Sequence, residues 1–198
     1  MEILAPDEAG IARAAEVLRA GEIVAYPTES VYGLAVDPFN EAALERLYAA
    51  KSRDASNPVL MIISDHSHLD SLVETISESA QKCIDAFWPG SLSLLFPGKA
   101  DLSELLVGAH EKICIRQTSH PIAAALSTAF GGAITSTSAN RSFEKPASNP
   151  GELELDGVSV CIDGGRAESA PSTVYDPDRG VVLREGAISR IDLHKVNH

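Results

Sequence analysis

The chain has 198 residues, 44% hydrophobic and 22% charged, which suits one domain with a buried core and excludes a low-complexity or disordered chain. Two domains would each be small, so a single domain over residues 1–198 is expected. Lys and Arg total 16 against 28 Asp and Glu, a net charge of −12, and that field disfavours broad electrostatic binding to duplex nucleic acid.

Any anion site must therefore be a local cluster. The N-terminus, Met1 to Glu8, has no basic stretch followed by an apolar one, and nowhere do about 18 apolar residues run together, so a cytoplasmic protein is expected. Cys83, Cys114 and Cys161 are far apart and odd in number, which fits reduced thiols. Cys114 and Cys161 lie in apolar β-like runs and read as small core residues.

In chain order, Ile11, Ala14, Ala15 and Leu18 follow helical spacing, and Gly21 stops that helix before a strand at Glu22 to Tyr26. A helix over about Glu41 to Lys51 follows, with Asn40 as its cap and Leu44, Leu47 and Tyr48 on its buried face. The strand Val59 to Ile63 comes next. Leu69, Leu72, Val73 and Ile76 predict one helix, and Ala80, Ile84 and Phe87 another that ends before Pro89-Gly90. Strands are predicted at Ser91 to Phe96, Lys112 to Arg116, Ala133 to Thr137 and Val158 to Ile162, with a helix at Pro121 to Phe130. Ser172 to Asp176 and Val181 to Arg184 flank Pro177-Asp178-Arg179-Gly180 as a hairpin. The class is thus α/β with a mixed sheet, and Arg141 to Gly151 reads as a mobile loop.

Three segments and two arginines carry chemistry-bearing groups. Pro27-Thr28-Glu29-Ser30-Val31-Tyr32-Gly33-Leu34 gathers hydroxyls and a carboxylate after a strand, although such residues also form plain turns. Lys51-Ser52-Arg53 sets two cations at a helix exit, outside the core, where they complement the helix dipole whether or not they bind a ligand. Ser136-Thr137-Ser138-Ala139-Asn140 ends a strand with donors suited to phosphate oxygens, but no Gly-rich phosphate loop or dinucleotide fingerprint is present. Arg116 and Arg184 each end a strand, where a guanidinium fork can hold a phosphate or carboxylate or form a surface ion pair. His66 and His68 lack the spacing of a helical zinc pair, and His120 precedes the Pro121 helix.

Taken in order, these segments, with Asn57-Pro58, His120-Pro121, Pro171-Ser172-Thr173-Val174 and Leu183-Arg184-Glu185-Gly186, resemble the YrdC-like threonylcarbamoyl-adenylate synthase family in its short bacterial form. The resemblance implies a twisted mixed sheet with flanking helices around a cationic cavity. It also implies a reaction that converts L-threonine, bicarbonate and ATP into threonylcarbamoyl-adenylate and pyrophosphate, for a partner enzyme that modifies tRNA. By motif match it assigns Lys51 and Arg53 to phosphate or carbonate oxygens. Arg53, Asn57, Ser136, Ser138, Asn140 and Arg184 fall to ATP, and Thr28, Ser30, Arg116 and Ser172 to threonine. Mg2+ is expected with ATP, held by phosphates and water. An RNA-binding module and a paralogue with another acyl or carbamoyl donor are the alternatives. Ser30, Asp54 and Phe143 depart from the family's usual threonine, proline and glycine.

Overall fold

The computed structural model describes residues 1–108, 111–167 and 169–197. Ten strands form one mixed sheet in the order β1-β8-β2-β3-β7-β4-β6-β5-β9-β10. In chain order they are β1 (Glu2–Leu4), β2 (Ile23–Pro27), β3 (Tyr32–Ala35), β4 (Leu60–Ile63), β5 (Leu92–Pro97), β6 (Lys112–Gln117), β7 (Ile134–Ser138), β8 (Val158–Ile162), β9 (Thr173–Asp176) and β10 (Val181–Arg184). The helices are α1 (Glu8–Arg19), α2 (Glu41–Lys51), α3 (Glu78–Phe87), α4 (Pro121–Phe130) and α5 (Arg190–Asn197). None among the described residues is long and apolar enough to cross a membrane.

Strand alternation divides the core between the two faces of the sheet. Val24 and Tyr26 on β2 and Ile62 on β4 meet Ala14, Ala15 and Leu18 of α1 and Ala123 and Leu126 of α4. Their neighbours Ile23, Ala25, Met61 and Ile63 join Leu44 and Leu47 of α2 and Cys83 and Ile84 of α3 on the opposite face. Caps set the helix starts: Asn40 accepts from the Ala43 N–H, Asp7 from Gly10 and Ser77 from Ala80.

Several expectations need correction. No helix forms over residues 69–76; a 3-10 helix at His66–Ser71 takes its place, because Asp65 caps an earlier start by accepting from Ser67. β1, β3 and α5 add to the predicted elements. The 141–151 segment is tied down: Ser142 N–H donates to the Lys51 carbonyl, and Ala147 exchanges backbone bonds with Ala139 and Tyr32.

Candidate active site

Register decides which polar residues share a face. Tyr26 aligns with Gly33, Gly33 with Ser138, Leu60 with Ser136, and Ile62 with Arg116. Because Tyr26 and Ile62 lie on the α1/α4 side, Ser136, Ser138 and Arg116 lie there too. Beyond the helices that face is open, and a cavity of about 800 Å³ forms over it. Among the described residues its charged lining is Arg53, Lys112, Arg116, Arg179 and Arg184 against Asp176. A chain of net charge −12 thus concentrates cations in one concave place, where low-dielectric walls strengthen their field.

Of the predicted site residues, Thr28, Ser30, Arg53, Asn57, Arg116, Ser136, Ser138, Ser172 and Arg184 line this cavity. Arg53 gets there because α2 ends in a Schellman turn. Ser52 adopts the left-handed conformation at φ 49°, its N–H donates to Ala49, and the Arg53 N–H reaches back to Tyr48. The guanidinium then donates from Nε to Asn57 O at 2.7 Å and from Nη2 to Pro58 O at 3.0 Å, and sits over the Tyr48 ring. Asp54 tightens the same loop by accepting from the N–H and hydroxyl of Ser56.

Lys51 and Asn140 are not on the cavity wall. Lys51 is 1% exposed, so its expected place outside the core is wrong. Its ammonium donates to the carbonyl oxygens of Ser138 and Asn140, the latter at 2.6 Å. Burial and the Arg53 charge pull its pKa down to about 8. The Asn140 amide turns into its own loop, donating to Arg141 O and Glu144 O. Phe143, in the usual glycine position, holds φ at 71° with its ring fully exposed.

Four of the remaining predicted residues, Arg184, Ser172, Thr28 and Arg116, are pre-oriented by protein partners. Arg184 donates to the Ser172 carbonyl and hydroxyl, and the Ser172 and Ser93 hydroxyls share a 2.9 Å hydrogen bond. Thr28 donates its hydroxyl to Val31 O at 2.6 Å, so the turn reading and the cavity-lining reading both hold. Arg116 forms an ion pair with Glu29, Nη1 to Oε2 at 2.6 Å.

Sequence reasoning missed three contributors. Glu29 sat inside a quoted motif without a role of its own. Lys112 bridges Asp176 at 2.6 Å and Asp178 at 2.7 Å; burial opposes its charge, but the two carboxylates outweigh this and raise its pKa. Such a cluster has no spacing signal, since its members come from distant segments. Cys114, read as core, lines the cavity instead, and burial pushes its thiol up to about 12 despite the nearby Arg184 and Arg116 charges. Cys161 is buried as expected.

Comparison with known proteins places this geometry in a lineage. The family model Sua5_yciO_yrdC, described as "Telomere recombination", matches residues 16–186. A threonylcarbamoyl-AMP synthase of Methylococcus capsulatus is 46% identical over 175 residues, covering 86% of this chain and 94% of that protein. The crystal structure of P. abyssi Sua5 complexed with L-threonine superposes with a TM-score of 0.93 at 30% identity, across 99% of this chain and 61% of that one. E. coli YciO superposes at 0.83 with 28% identity, across 95% and 96% of the two chains. With the matched region spanning most of the sheet and every described residue that lines the cavity, the chain belongs to the Sua5/YciO/YrdC family.

Proposed function

We propose that this chain is a threonylcarbamoyl-AMP synthase, a nucleotidyltransferase that joins L-threonine, bicarbonate and ATP. The observation that carries the reading is the cationic cavity of about 800 Å³, in a chain 46% identical over most of its length to a protein of that name. The chemistry suits the inventory. The threonine amine adds to the carbon of bicarbonate with loss of water, and a carbamate oxygen then attacks the α-phosphorus of ATP and expels pyrophosphate. Most of the work is holding phosphate, carbonate and carboxylate groups together, which needs preorganised donors more than an acid or base.

Arg53, Asn57, Ser136, Ser138 and Arg184 are assigned to the nucleotide, and Arg116, Ser172, Thr28 and Ser30 to threonine. Lys51 and Asn140 support the same site from behind its wall, and Lys51 would reach a phosphate only by exchanging a carbonyl partner. The cavity's own acid, Asp176, is occupied by Lys112, and no group of three or more metal-ligating side chains forms among the described residues. Mg2+ is therefore assigned to the phosphate oxygens and water, as its strong hydration permits, and when bound it would neutralise phosphate charge.

Downstream, the product is a labile mixed anhydride suited to acyl transfer onto an amine, consistent with use by a cytosolic tRNA-modifying enzyme. Direct RNA binding is the weaker reading, because the cations face a cavity within an acidic chain. Pyrophosphate release should require threonine and bicarbonate together; release indifferent to threonine would reject the reading, and a steeply salt-dependent tRNA affinity without release would favour the RNA module.

A further inference from the structure

Glu29 lies between two cavity-lining residues, Thr28 and Ser30, yet is not itself on the cavity wall. Its side chain is 15% exposed and that of its partner Arg116 is 7% exposed. Oε1 accepts from the Thr118 hydroxyl at 2.9 Å, the Ser119 N–H at 2.8 Å and the Ser119 hydroxyl at 3.2 Å. Oε2 faces Arg116 Nη1 at 2.6 Å. One carboxylate thus ties the β2–β3 turn to the end of β6 and to the segment entering α4.

Such a fixed pair carries a desolvation cost, since burying two charges removes both from water. What it organises is the orientation of the Arg116 guanidinium. Arg116 Nε is shielded from solvent and has no acceptor among the described residues, although Arg116 lines the cavity floor. A planar guanidinium held at Nη1 is kept in one orientation, and its fork of donors suits the oxygens of a carboxylate. We infer that Glu29 is a positioning residue: by holding Nη1 it fixes the Arg116 guanidinium at the cavity, where that group takes the carboxylate of the amino-acid substrate.

Glu29 acts through Arg116 without touching the substrate. The inference rests on the threonine-using reading above, and it adds what holds Arg116 in place. Burial pushes the Glu29 carboxyl up, but the Arg116 charge, the hydrogen bond to it and the Ser119 N–H outweigh this and hold it at about 2, so it stays charged wherever the protein is assayed.

The test is calorimetric titration of the full chain and of Glu29→Gln with L-threonine, L-threonine amide and ATP, each separately. Gln keeps the shape and the acceptor for Thr118 and Ser119 but loses the charge facing Arg116. Threonine affinity should fall about tenfold or more, while ATP affinity and the weak affinity for the amide, which lacks a carboxylate, stay within about twofold of wild type. Equal losses for all three ligands would reveal a merely structural role, and unchanged threonine affinity would also overturn the inference. Should Glu29→Gln not fold, Thr118→Val removes one donor to Oε1 and keeps both charges. Threonine binding several-fold weaker with ATP unchanged then supports the inference, and no change overturns it. Wild-type protein that binds ATP and ignores threonine would instead defeat the functional reading itself.

Discussion

The ammonium of Lys51 holds the carbonyl oxygens of Ser138 and Asn140, so the last residue of α2 and the exit of β7 are joined beneath the cavity wall by one buried charge. Arg53, two residues later, is on the wall itself. Lys51→Ala should therefore cost about 2–3 kcal/mol of stability, because two carbonyls lose a charged donor in a dry place, and it should also weaken ATP binding. Arg53→Ala should cost about 1 kcal/mol or less and act chiefly on activity. Urea denaturation of the two variants, alongside pyrophosphate release, separates these outcomes.

The same lysine predicts opposite trends with pH. Its pKa in the folded protein is lowered from 10.5 to about 8, so the cost of burying its charge is fully present below about 8. That cost is relieved as pH rises from there toward the unfolded value. Its contribution to stability should rise over this window. Over the same window kcat/KM for ATP should fall, since the neutral amine no longer offsets phosphate charge, and this parameter reports the free protein. Parallel pH profiles of chemical stability and of kcat/KM check both signs.

Glu29 gives an acid limb. Its folded pKa of about 2 lies below the ordinary 4.5, so its stabilisation is complete above about pH 4.5 and is lost as pH falls toward 2. Linkage over that difference is on the order of 3–4 kcal/mol. Glu29→Gln should flatten the acid side of the stability profile by that amount, measured by denaturant unfolding at stepped pH.

Removing Lys112 should be more damaging than its place near a strand start suggests. Lys112→Met would leave Asp176, 2% exposed, without its countercharge, a loss of about 3–5 kcal/mol. It would also free the β9–β10 hairpin that carries Arg184, so KM for ATP should rise. Asp178→Asn, at the more exposed end of the cluster, should cost about 1 kcal/mol. Thermal unfolding and ATP titration test the contrast.

Phe143 spends conformational energy that a glycine would not. At φ 71° with no burial to offset it, the ring should be replaceable by glycine with a net gain of up to about 1 kcal/mol, after allowing for the greater freedom of glycine in the unfolded chain. Phe143→Gly should raise Tm; a fall would mean that the exposed ring makes a contact in solution that compensates the strain.

Much of the fold was readable because its signals are local. Asn40 and the Leu44, Leu47, Tyr48 stripe define α2 at Glu41–Lys51, and Pro121 with Gly131 brackets α4 at Pro121–Phe130. The hairpin of β9 and β10 followed from its turn residues. The elements that escaped have weak patterns: β1 is three residues long, Tyr32 to Ala35 in β3 is buried throughout and does not alternate, and α5 turns chiefly Leu193 toward the core. Ordered motifs carried most of the site, yet they could not separate a wall residue from one behind it, as Asn140 and Lys51 illustrate.

By itself the sequence determined the helix caps, the strand alternation, the acidic overall charge and the set of motifs that mark the family, since each depends on neighbours within a few residues or on composition. Tertiary structure alone decided that Lys51 would turn inward to carbonyls 87 and 89 residues away, and that Lys112 would meet Asp176 across 64 residues. It also brought Glu29 to Arg116. Those pairings depend on strand order and register, which bring distant residues onto one face of the sheet, and no spacing along the chain encodes which of two nearby cations will face a ligand and which will hold the wall behind it.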